Sequence, residues 1–299
     1  MSAGTLVWLI VFLIGLADSI VLSVQRMSLD WNDEWRGVLL LSLSLALSYL
    51  LKWRRQPQAA RFTLTLTQFI AFAHVGTILT YALTAASPFP MADSLFERED
   101  IALGFHWLPW FQWINRHSAI NVLLVLAYNS MVPQFTILTA LFSYDNAKRV
   151  DELLVASMVA IIIIFPVMYL LPSVGAFAPH GIADGKNWET DILQMRSHTV
   201  FVIHPWEGIV TFPSYHTVLG ILFINMARGI KWLFYPLLML NALLMASVMN
   251  VGGHYLVDVV GGVAVAVLAL SATQYLLARR LQEAKAGIPV DSVMGLRGS

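Results

Sequence analysis

Residues 212–227 have the sequence FPSYHTVLGILFINMA, in which a proline, a serine and a histidine stand at the start of an apolar run. Residues 252–270, GGHYLVDVVGGVAVAVLAL, have a similar arrangement with a second histidine and an aspartate. Apolar runs near 20 residues are long enough to cross a bilayer as helices. Polar side chains at the start of two such runs therefore predict two membrane spans with a shared site at one face.

The whole chain has the composition of an integral membrane protein. Of its 299 residues, 58% are hydrophobic and only 12% are charged, and the mean hydropathy is +0.69. Soluble domains carry about 25% charged residues. The formal net charge is zero, which gives no indication of a nucleic-acid partner. The sequence contains no cysteine, which excludes disulfides and thiolate metal sites.

Eight apolar runs predict an all-α polytopic bundle of about eight transmembrane helices. We place them at about 4–24, 37–52, 62–85, 118–141, 153–172, 210–227, 232–249 and 255–278. The second, sixth and seventh runs are short, so their ends are the least defined. The first run has no Lys or Arg before it, unlike a cleavable signal peptide, and we expect it to remain as a span.

The distribution of Lys and Arg predicts the orientation of these spans. With the N-terminus inside, the inner connections hold twelve Lys and Arg residues, and the longer outer connections hold six. Cytoplasmic loops are enriched in these residues, and KWRRQPQAAR at 52–61 is the clearest inner segment. We therefore predict a bacterial-type inner or plasma membrane protein with both termini cytoplasmic. The polar starts of 212–227 and 252–270 then face the periplasm or exterior.

Two long outer connections flank the predicted site. In the first, about 86–117, Trp107, Trp110 and Trp113 recur at three-residue spacing, which predicts an amphipathic helix at the outer interface. This helix would either anchor the fold or form a rim that guides lipid. The second connection, about 173–209, is polar and glycine-rich and leads directly into FPSYH. Loops of this length without evident structure are usually functional or disordered.

Ser214, His216, His254 and Asp258 are predicted to lie at one depth on the same side. Asp258 follows His254 by four residues, so the two share a helical face. An ionisable residue inside a span is a functional candidate. If Asp258 accepts a hydrogen bond from one ring nitrogen of His254, the other nitrogen becomes available as a nucleophile. His216 could then protonate the leaving oxygen and later activate water or an alcohol.

The helix start at 212–216 favours phosphate as the ligand. Free N–H groups and a positive partial charge at a helix N-terminus attract phosphate, and Ser214 can either cap the helix or bind an oxyanion. Together with two histidines, this predicts phosphoryl transfer through a phosphohistidine. Two histidines and a carboxylate can also form a facial metal triad, and the spacing leaves both interpretations open.

The segments FPSYH and GGHYLVD resemble the second and third signature motifs of the type 2 phosphatidic acid phosphatase (PAP2) superfamily, whose usual forms are PSGH and SRxxxxxHxxxD. The flanking EGIVTFPSYHT and GGHYLVDVVGG are more similar to the branch that includes inositol phosphorylceramide synthase. The resemblance covers about 90–278 and implies a six-helix core supplied by the last six spans. It divides the chain into N-terminal helices at 1–85, with the third span beginning the core, a catalytic region at 86–278 and a cytoplasmic tail at 279–299.

The resemblance also implies a role for each site residue. His254 matches the nucleophile, His216 the general acid and base, Asp258 the residue that orients the nucleophile, and Ser214 the serine that contacts phosphate. The chemistry it implies needs no metal and no cofactor, and its substrate would be a lipid phosphate in the bilayer.

Three departures from the family pattern concern the phosphate pocket. Tyr215 stands where the family has glycine, so we include it among the phosphate-binding residues. Val248 stands at the arginine of the third motif, and no KxxxxxxRP first motif is visible. Another cation must neutralise the phosphate, and Arg196 is our first candidate, against a role in a surface ion pair. Lys186 and then Arg116 follow as candidates.

These features predict a lipid phosphatase that hydrolyses a lipid phosphate monoester at the outer membrane face. One alternative is a phosphotransferase that moves a phospho-headgroup to a lipid alcohol, and another is a non-catalytic transporter or scaffold with the same fold. For His74, within the third span, we expect a helix-to-helix hydrogen bond. Tyr128 and Gln134 are expected either to pack in the core or to line a cavity.

Overall fold

The computed structural model describes residues 3–25, 27–182, 188–197, 201–203 and 208–285. Its fold is all-α, as predicted, apart from one pair of short strands. The elements are α1 (Ala3–Gln25), β1 (Met27–Leu29), α2 (Trp31–Trp53), α3 (Pro57–Ala86), α4 (Asp93–Ala102), α5 (Trp107–Arg116), α6 (Ser118–Asn129), α7 (Met131–Asp145), α8 (Ala147–Leu170), α9 (Trp188–Arg196), β2 (Phe201–Ile203), α10 (Tyr215–Met226), α11 (Lys231–Val251) and α12 (Leu256–Lys285).

Six of the described helices, α1, α2, α3, α8, α11 and α12, are long and apolar enough to cross a membrane. Helices α6 and α7 together form a seventh span that is bent by 46°. Helix α10 has 12 residues, or roughly 18 Å at 1.5 Å per residue, which is short of a hydrocarbon core about 30 Å thick. The chain is thus an integral membrane protein with six or seven spans by length, and the count of eight stays a prediction.

The bend between α6 and α7 has a local cause. Pro133 lies in the first turn of α7, four residues after Asn129. Proline lacks an N–H group, and its ring clashes with the carbonyl group four residues earlier, so a straight helix cannot continue through this point. The predicted span at 118–141 is therefore two helices that meet at Ser130.

The N-terminal helices are joined to each other and to the rest of the chain by polar contacts. Nε2 of His74 in α3 lies 3.0 Å from Oε1 of Glu34 in α2, which confirms the predicted helix-to-helix hydrogen bond. Strand β1, which connects α1 to α2, pairs in parallel with β2, with Met27 opposite Phe201. Since β2 lies in the connection before α10, this pairing ties the first two helices to the segment that leads into FPSYH.

The core of the bundle surrounds α10. Buried apolar side chains from α7, α8, α10 and α12 form one cluster, which includes Leu138, Ile164, Phe223 and Ala266. A buried amide pair crosses it, in which Asn241 Nδ2 of α11 donates to Gln134 Oε1 of α7 over 2.7 Å. Gln134 therefore packs in the core, and these contacts fix α10 among its neighbours.

At the end of the bundle opposite the candidate site, cationic side chains hold the C-terminus of α10. Arg149 donates to the carbonyl oxygens of Met226 and Arg228 over 2.6 and 2.8 Å. Arg228 forms an ion pair with Glu152 of α8. Positive charge is favourable at a helix C-terminus, where carbonyl groups lack partners within the helix. The C-terminal end of α10 is thus fixed, and its N-terminus points to the opposite end of the bundle.

In their described residues, the two long connections at about 86–117 and 173–209 are more ordered than the sequence suggested. Helix α5 confirms the predicted amphipathic segment: Trp107 is 3% exposed and Trp113 is 48% exposed. Nε1 of Trp107 donates to the carbonyl of Met249 at the end of α11 over 2.9 Å. The second connection, predicted as a loop, contains a 3₁₀ turn at Ala178–His180, α9 and β2.

Candidate active site

His254 and Asp258 form a buried pair at the start of α12. Nδ1 of His254 lies 3.0 Å from Oδ2 of Asp258, and the two residues are 3% and 0% exposed. The same carboxylate oxygen accepts the backbone N–H of Tyr255 over 2.9 Å. Since Nδ1 is engaged by the carboxylate, Nε2 is the ring atom left to react.

A tight turn between α11 and α12 places His254 beside this carboxylate. Gly253 has a φ of +64°, and its carbonyl accepts the N–H of Ala176 over 2.6 Å. A Cβ atom at Gly253 would lie 2.6 Å from the ring of Phe177. Both the backbone angle and the lack of space therefore require glycine at this position.

Asp100 of α4 caps the first turn of α12 from a different helix. Its carboxylate accepts the N–H groups of Leu256 and Val257, each over 2.8 Å. Burial raises the pKa of Asp100, and the two backbone hydrogen bonds oppose that shift. This cap holds the helix that carries Asp258, and sequence reasoning missed it.

Asp93, also from α4, organises the loop on the other side of the turn. It accepts hydrogen bonds from Oγ of Ser173 over 2.7 Å and from the N–H of Gly175 over 2.9 Å. Burial raises the pKa of Asp93 as well, against these hydrogen bonds. The acidic segment DSLFERED at 93–100 was the visible signal, but its partners lie more than 70 residues away in the sequence.

Ser214 joins the start of α10 to α12. Its Oγ accepts the N–H of Thr217 over 3.4 Å, so Ser214 is the N-cap of α10. Its own N–H donates to the carbonyl of Asp258 over 3.0 Å. The Ser214 hydroxyl was predicted either to cap the helix or to bind an oxyanion, and in the structure it caps the helix. The two motif-bearing helices meet at their first turns.

A further close approach between these helices occurs at Gly262. A Cβ atom there would lie 2.6 Å from the carbonyl oxygen of Ser214 and 2.8 Å from Cβ of Thr217. We expect Gly262→Ala to separate α10 from α12, destabilising the fold by about 1–3 kcal/mol through overpacking. Thermal unfolding in detergent measures this effect.

Gly76→Ala in α3 is the matched control, because a Cβ atom there would meet nothing within 4 Å. We expect this substitution to stabilise the protein by up to about 1 kcal/mol, since alanine is the better helix former. Equal thermal stability of the two variants would contradict the close approach at Gly262.

His216 lies within one turn of the α10 N-terminus and faces His254. The ring centroids of the two histidines are 6.4 Å apart, with an interplanar angle of 67°. On its other side, His216 stacks on Tyr128 of α6 at 4.6 Å and 22°. The structure therefore brings together Ser214, His216, His254 and Asp258, from two sequence segments, as the motif spacing predicted. Two rings at this distance can contact opposite sides of one phosphoryl group.

A family model of the PAP2 superfamily matches residues 94–272. The chain belongs to the PAP2 superfamily. Members of this superfamily are in general phosphatases or phosphotransferases. The matched region begins in α4 and contains both histidines, Ser214 and Asp258. A search of curated protein sequences and a search of solved structures found no match to the chain.

Tyr215, which stands where the PAP2 pattern has glycine, points its side chain into the bundle. Its hydroxyl donates to the carbonyl of Ser157 in α8 over 3.2 Å. Its backbone N–H lies in the first turn of α10, where N–H groups lack partners within the helix. The predicted contact of Tyr215 with phosphate would therefore use this N–H group.

Val248, which replaces the third-motif arginine of the superfamily, is fully buried at the end of α11. The preceding Ser247 donates through Oγ to the carbonyl of Leu244 over 2.6 Å. No cation can act on phosphate from these two positions. A positive charge for the predicted phosphate would have to come from elsewhere in the chain.

Arg196 is the last residue of α9. Its Nη2 donates to the carbonyl of Phe89 over 2.6 Å, and its Nη1 is buried without a hydrogen-bond partner in the part of the chain that the structure describes. Lys186 lies outside the described residues. In the described ranges from residue 3 to residue 285, no group of three His, Cys, Asp or Glu side chains could hold a metal ion.

We expect Arg196→Gln to raise the KM for a lipid phosphate by about 10–100-fold, the value of a lost hydrogen bond to a charged group. Arg98→Gln, at an exposed arginine of α4, is the control and should change KM little. Steady-state kinetics of the purified variants test this. If Lys186→Gln raises KM and Arg196→Gln does not, Lys186 supplies the charge instead.

Proposed function

We propose that this protein hydrolyses a lipid phosphate monoester at the outer membrane face. The observation that carries the proposal is the buried His254–Asp258 pair, with the His216 ring 6.4 Å from that of His254. Nε2 of His254 attacks phosphorus, and the bond from phosphorus to the lipid oxygen breaks. His216 donates a proton to that oxygen, so the lipid alcohol leaves and His254 holds the phosphoryl group.

The second half of the reaction restores the enzyme. His216, now neutral, takes a proton from water, and the hydroxyl oxygen forms a new bond to phosphorus as the bond to Nε2 of His254 breaks. Inorganic phosphate leaves. During both steps the carboxylate of Asp258 accepts Nδ1–H of His254 and stabilises the positive charge on the phosphorylated ring.

A lipid is the proposed substrate because of where the residues lie. His216 and Asp258 stand in the first turns of two apolar helices, and Ser214 and His254 lie one and two residues before these helices. A phosphate headgroup at this depth leaves its chains in the bilayer. Arg149 and Arg228 lie at the opposite end of α10, and such residues favour the cytoplasmic side. This supports a catalytic site that faces the periplasm or exterior, with both termini in the cytoplasm.

The alternative is a phosphotransferase that passes the phosphoryl-bearing headgroup to a lipid alcohol, as in the inositol phosphorylceramide synthase branch. Two observations favour it: the similarity of EGIVTFPSYHT and GGHYLVDVVGG to that branch, and the near-complete burial of His254 and Asp258. Burial limits the access of water to a covalent intermediate. A non-catalytic transporter or scaffold is the third candidate, and the complete pair of histidines with Asp258 is evidence against it.

Product analysis separates these functions. Purified full-length protein is incubated with labelled phosphatidic acid, with and without an acceptor, and the products are analysed by mass spectrometry. The acceptor is ceramide, or a diacylglycerol whose acyl chains differ from those of the donor. Hydrolysis yields inorganic phosphate in both samples, whereas transfer yields a new phospholipid only with the acceptor. If the protein catalyses neither hydrolysis nor transfer, the result supports the non-catalytic transporter or scaffold.

Inhibitors test the proposed chemistry independently of the acceptor. We expect turnover without added metal and inhibition by vanadate, which mimics a pentacoordinate phosphorus. Activity that disappears with a chelator and returns with zinc would overturn the phosphohistidine mechanism in favour of the metal triad.

A further inference from the structure

Tyr128 contacts the candidate site although it belongs to neither sequence motif. It lies near the end of α6, and its ring stacks on His216 at 4.6 Å with an interplanar angle of 22°. The contact with His216 is therefore made by the face of the ring.

The edge of the same ring lies beside the turn that carries His254. A Cβ atom at Gly252 would lie 3.3 Å from Cε2 of Tyr128 and 3.0 Å from Cδ2 of His254. Tyr128 thus borders both histidines, one through its face and the other across Gly252. One aromatic ring therefore lies next to both His216 and the turn before α12.

The break after α6 and the valine at position 248 leave space for the Tyr128 ring. Helix α6 ends at Asn129, one residue after Tyr128, because Pro133 breaks the span. Val248 occupies the position of the superfamily arginine and packs with Tyr128, Trp110 and Met131 in one apolar cluster. Apolar side chains of this cluster therefore pack against Tyr128, and a charged side chain at position 248 would disturb that packing.

We propose that Tyr128 is a positioning residue that holds the His216 ring in the orientation from which it protonates the leaving oxygen. The proposal rests on the function proposed above, in which His216 is the general acid. A stacked aromatic ring restricts rotation of the imidazole about its side-chain bonds. Its negative π face also favours the protonated imidazole, which is the form that can donate a proton.

Two substrates that differ only in their need for a proton test this role. n-Hexyl phosphate has a leaving oxygen that must be protonated, whereas 4-nitrophenyl phosphate releases a stable phenolate. The measured quantity is kcat/KM, because it covers the steps up to departure of the alcohol and not the later hydrolysis of phosphohistidine. The variants are Tyr128→Leu, Tyr128→Phe and His216→Ala, with Tyr144→Leu, at an exposed tyrosine of α7, as the matched control.

We expect Tyr128→Leu to lower kcat/KM for n-hexyl phosphate by about 10-fold or more, as part of the roughly 10²–10⁴-fold that a general acid contributes. The loss of kcat/KM for 4-nitrophenyl phosphate should stay within about 3-fold, because its phenolate leaves without a proton from a general acid. His216→Ala should show the same pattern more strongly. Tyr128→Phe keeps the ring and should restore most of the activity on n-hexyl phosphate.

Equal losses on the two substrates would overturn the proposal, because a general disturbance of packing does not distinguish between leaving groups. Full activity of Tyr128→Leu on both would overturn it as well. Tyr128→Met serves as a second variant without a π face, should Tyr128→Leu fail to fold.

A measurement without turnover separates this proposal from the proposed function. The ring protons of His216, assigned with His216→Ala, should resonate upfield in NMR spectra because of the ring current of Tyr128, and should move downfield in Tyr128→Leu. If the wild-type protein hydrolyses neither phosphate, the proposed function fails and this shift alone decides whether Tyr128 holds His216. The absence of any shift overturns the positioning role.

Discussion

Replacing His254 with alanine is expected to abolish phosphate release, with kcat lowered by at least about 10⁴-fold, as for other residues that form a covalent intermediate. Nδ1 of this ring is held by Asp258, and Nε2 is the atom that would receive the phosphoryl group. Alanine removes this atom. The other described histidine that contacts a buried carboxylate, His74 with Glu34 of α2, lies outside both sequence motifs. Release of inorganic phosphate from labelled phosphatidic acid is the measurement.

His106→Ala provides the control, because His106 is an exposed histidine at the start of α5 on the same side. We expect its activity to remain near that of the wild-type protein. A second readout is the covalent intermediate itself: rapid acid-free quenching should trap label on the wild-type protein and none on His254→Ala. Undiminished phosphate release by His254→Ala would rule out this residue as the nucleophile.

Asp258 is expected to give the second largest effect, and the size of the loss should depend on the replacement. Oδ2 accepts both Nδ1–H of His254 and the N–H of Tyr255, while Oδ1 is buried without a hydrogen-bond partner in the described part of the chain. Asparagine can place its carbonyl oxygen at the Oδ2 position and keep both hydrogen bonds. It removes the negative charge and introduces a buried N–H₂ group without an acceptor.

Asp258→Ala loses both hydrogen bonds and should lower kcat by about 10³–10⁴-fold, as when the orienting carboxylate of a catalytic triad is lost. Asp258→Asn should fall between Asp258→Ala and the wild-type protein. The kcat values on one lipid phosphate test this order, and thermal unfolding reports the loss of the Tyr255 hydrogen bond separately. Similar kcat values for Asp258→Ala and the wild-type protein would contradict the role of Asp258 in orienting His254.

The parts of this protein that follow from local sequence were predictable. Apolar runs gave the long helices, because any chain segment in hydrocarbon must satisfy its own backbone hydrogen bonds. The four-residue step from His254 to Asp258 and the serine before α10 fixed local geometry in the same way. The His74–Glu34 bond was anticipated as a helix-to-helix contact, although its partner was not named.

Other features depend on residues far apart in the chain and left no local signal. Asp100 caps α12 across 156 residues of sequence. Tyr128 stacks on His216 from a helix that no motif marks. The bend at Ser130 did have a local signal, namely Pro133. We missed it because an apolar run is judged by its average hydropathy, which one proline hardly changes. The length of the apolar run at 210–227 also predicted too long a helix. Its first residues belong to a non-helical segment before Ser214, so α10 is shorter than the run.

The parallel pairing of β1 with β2 has a consequence for synthesis of the protein. Residues 27–29 leave the ribosome long before residues 201–203, so the connector between the first two helices must wait for its partner while most of the bundle is translated. An unpaired strand of this kind can pair with other chains. Nascent protein stalled before residue 201 should therefore be the form most prone to aggregate and most dependent on chaperones.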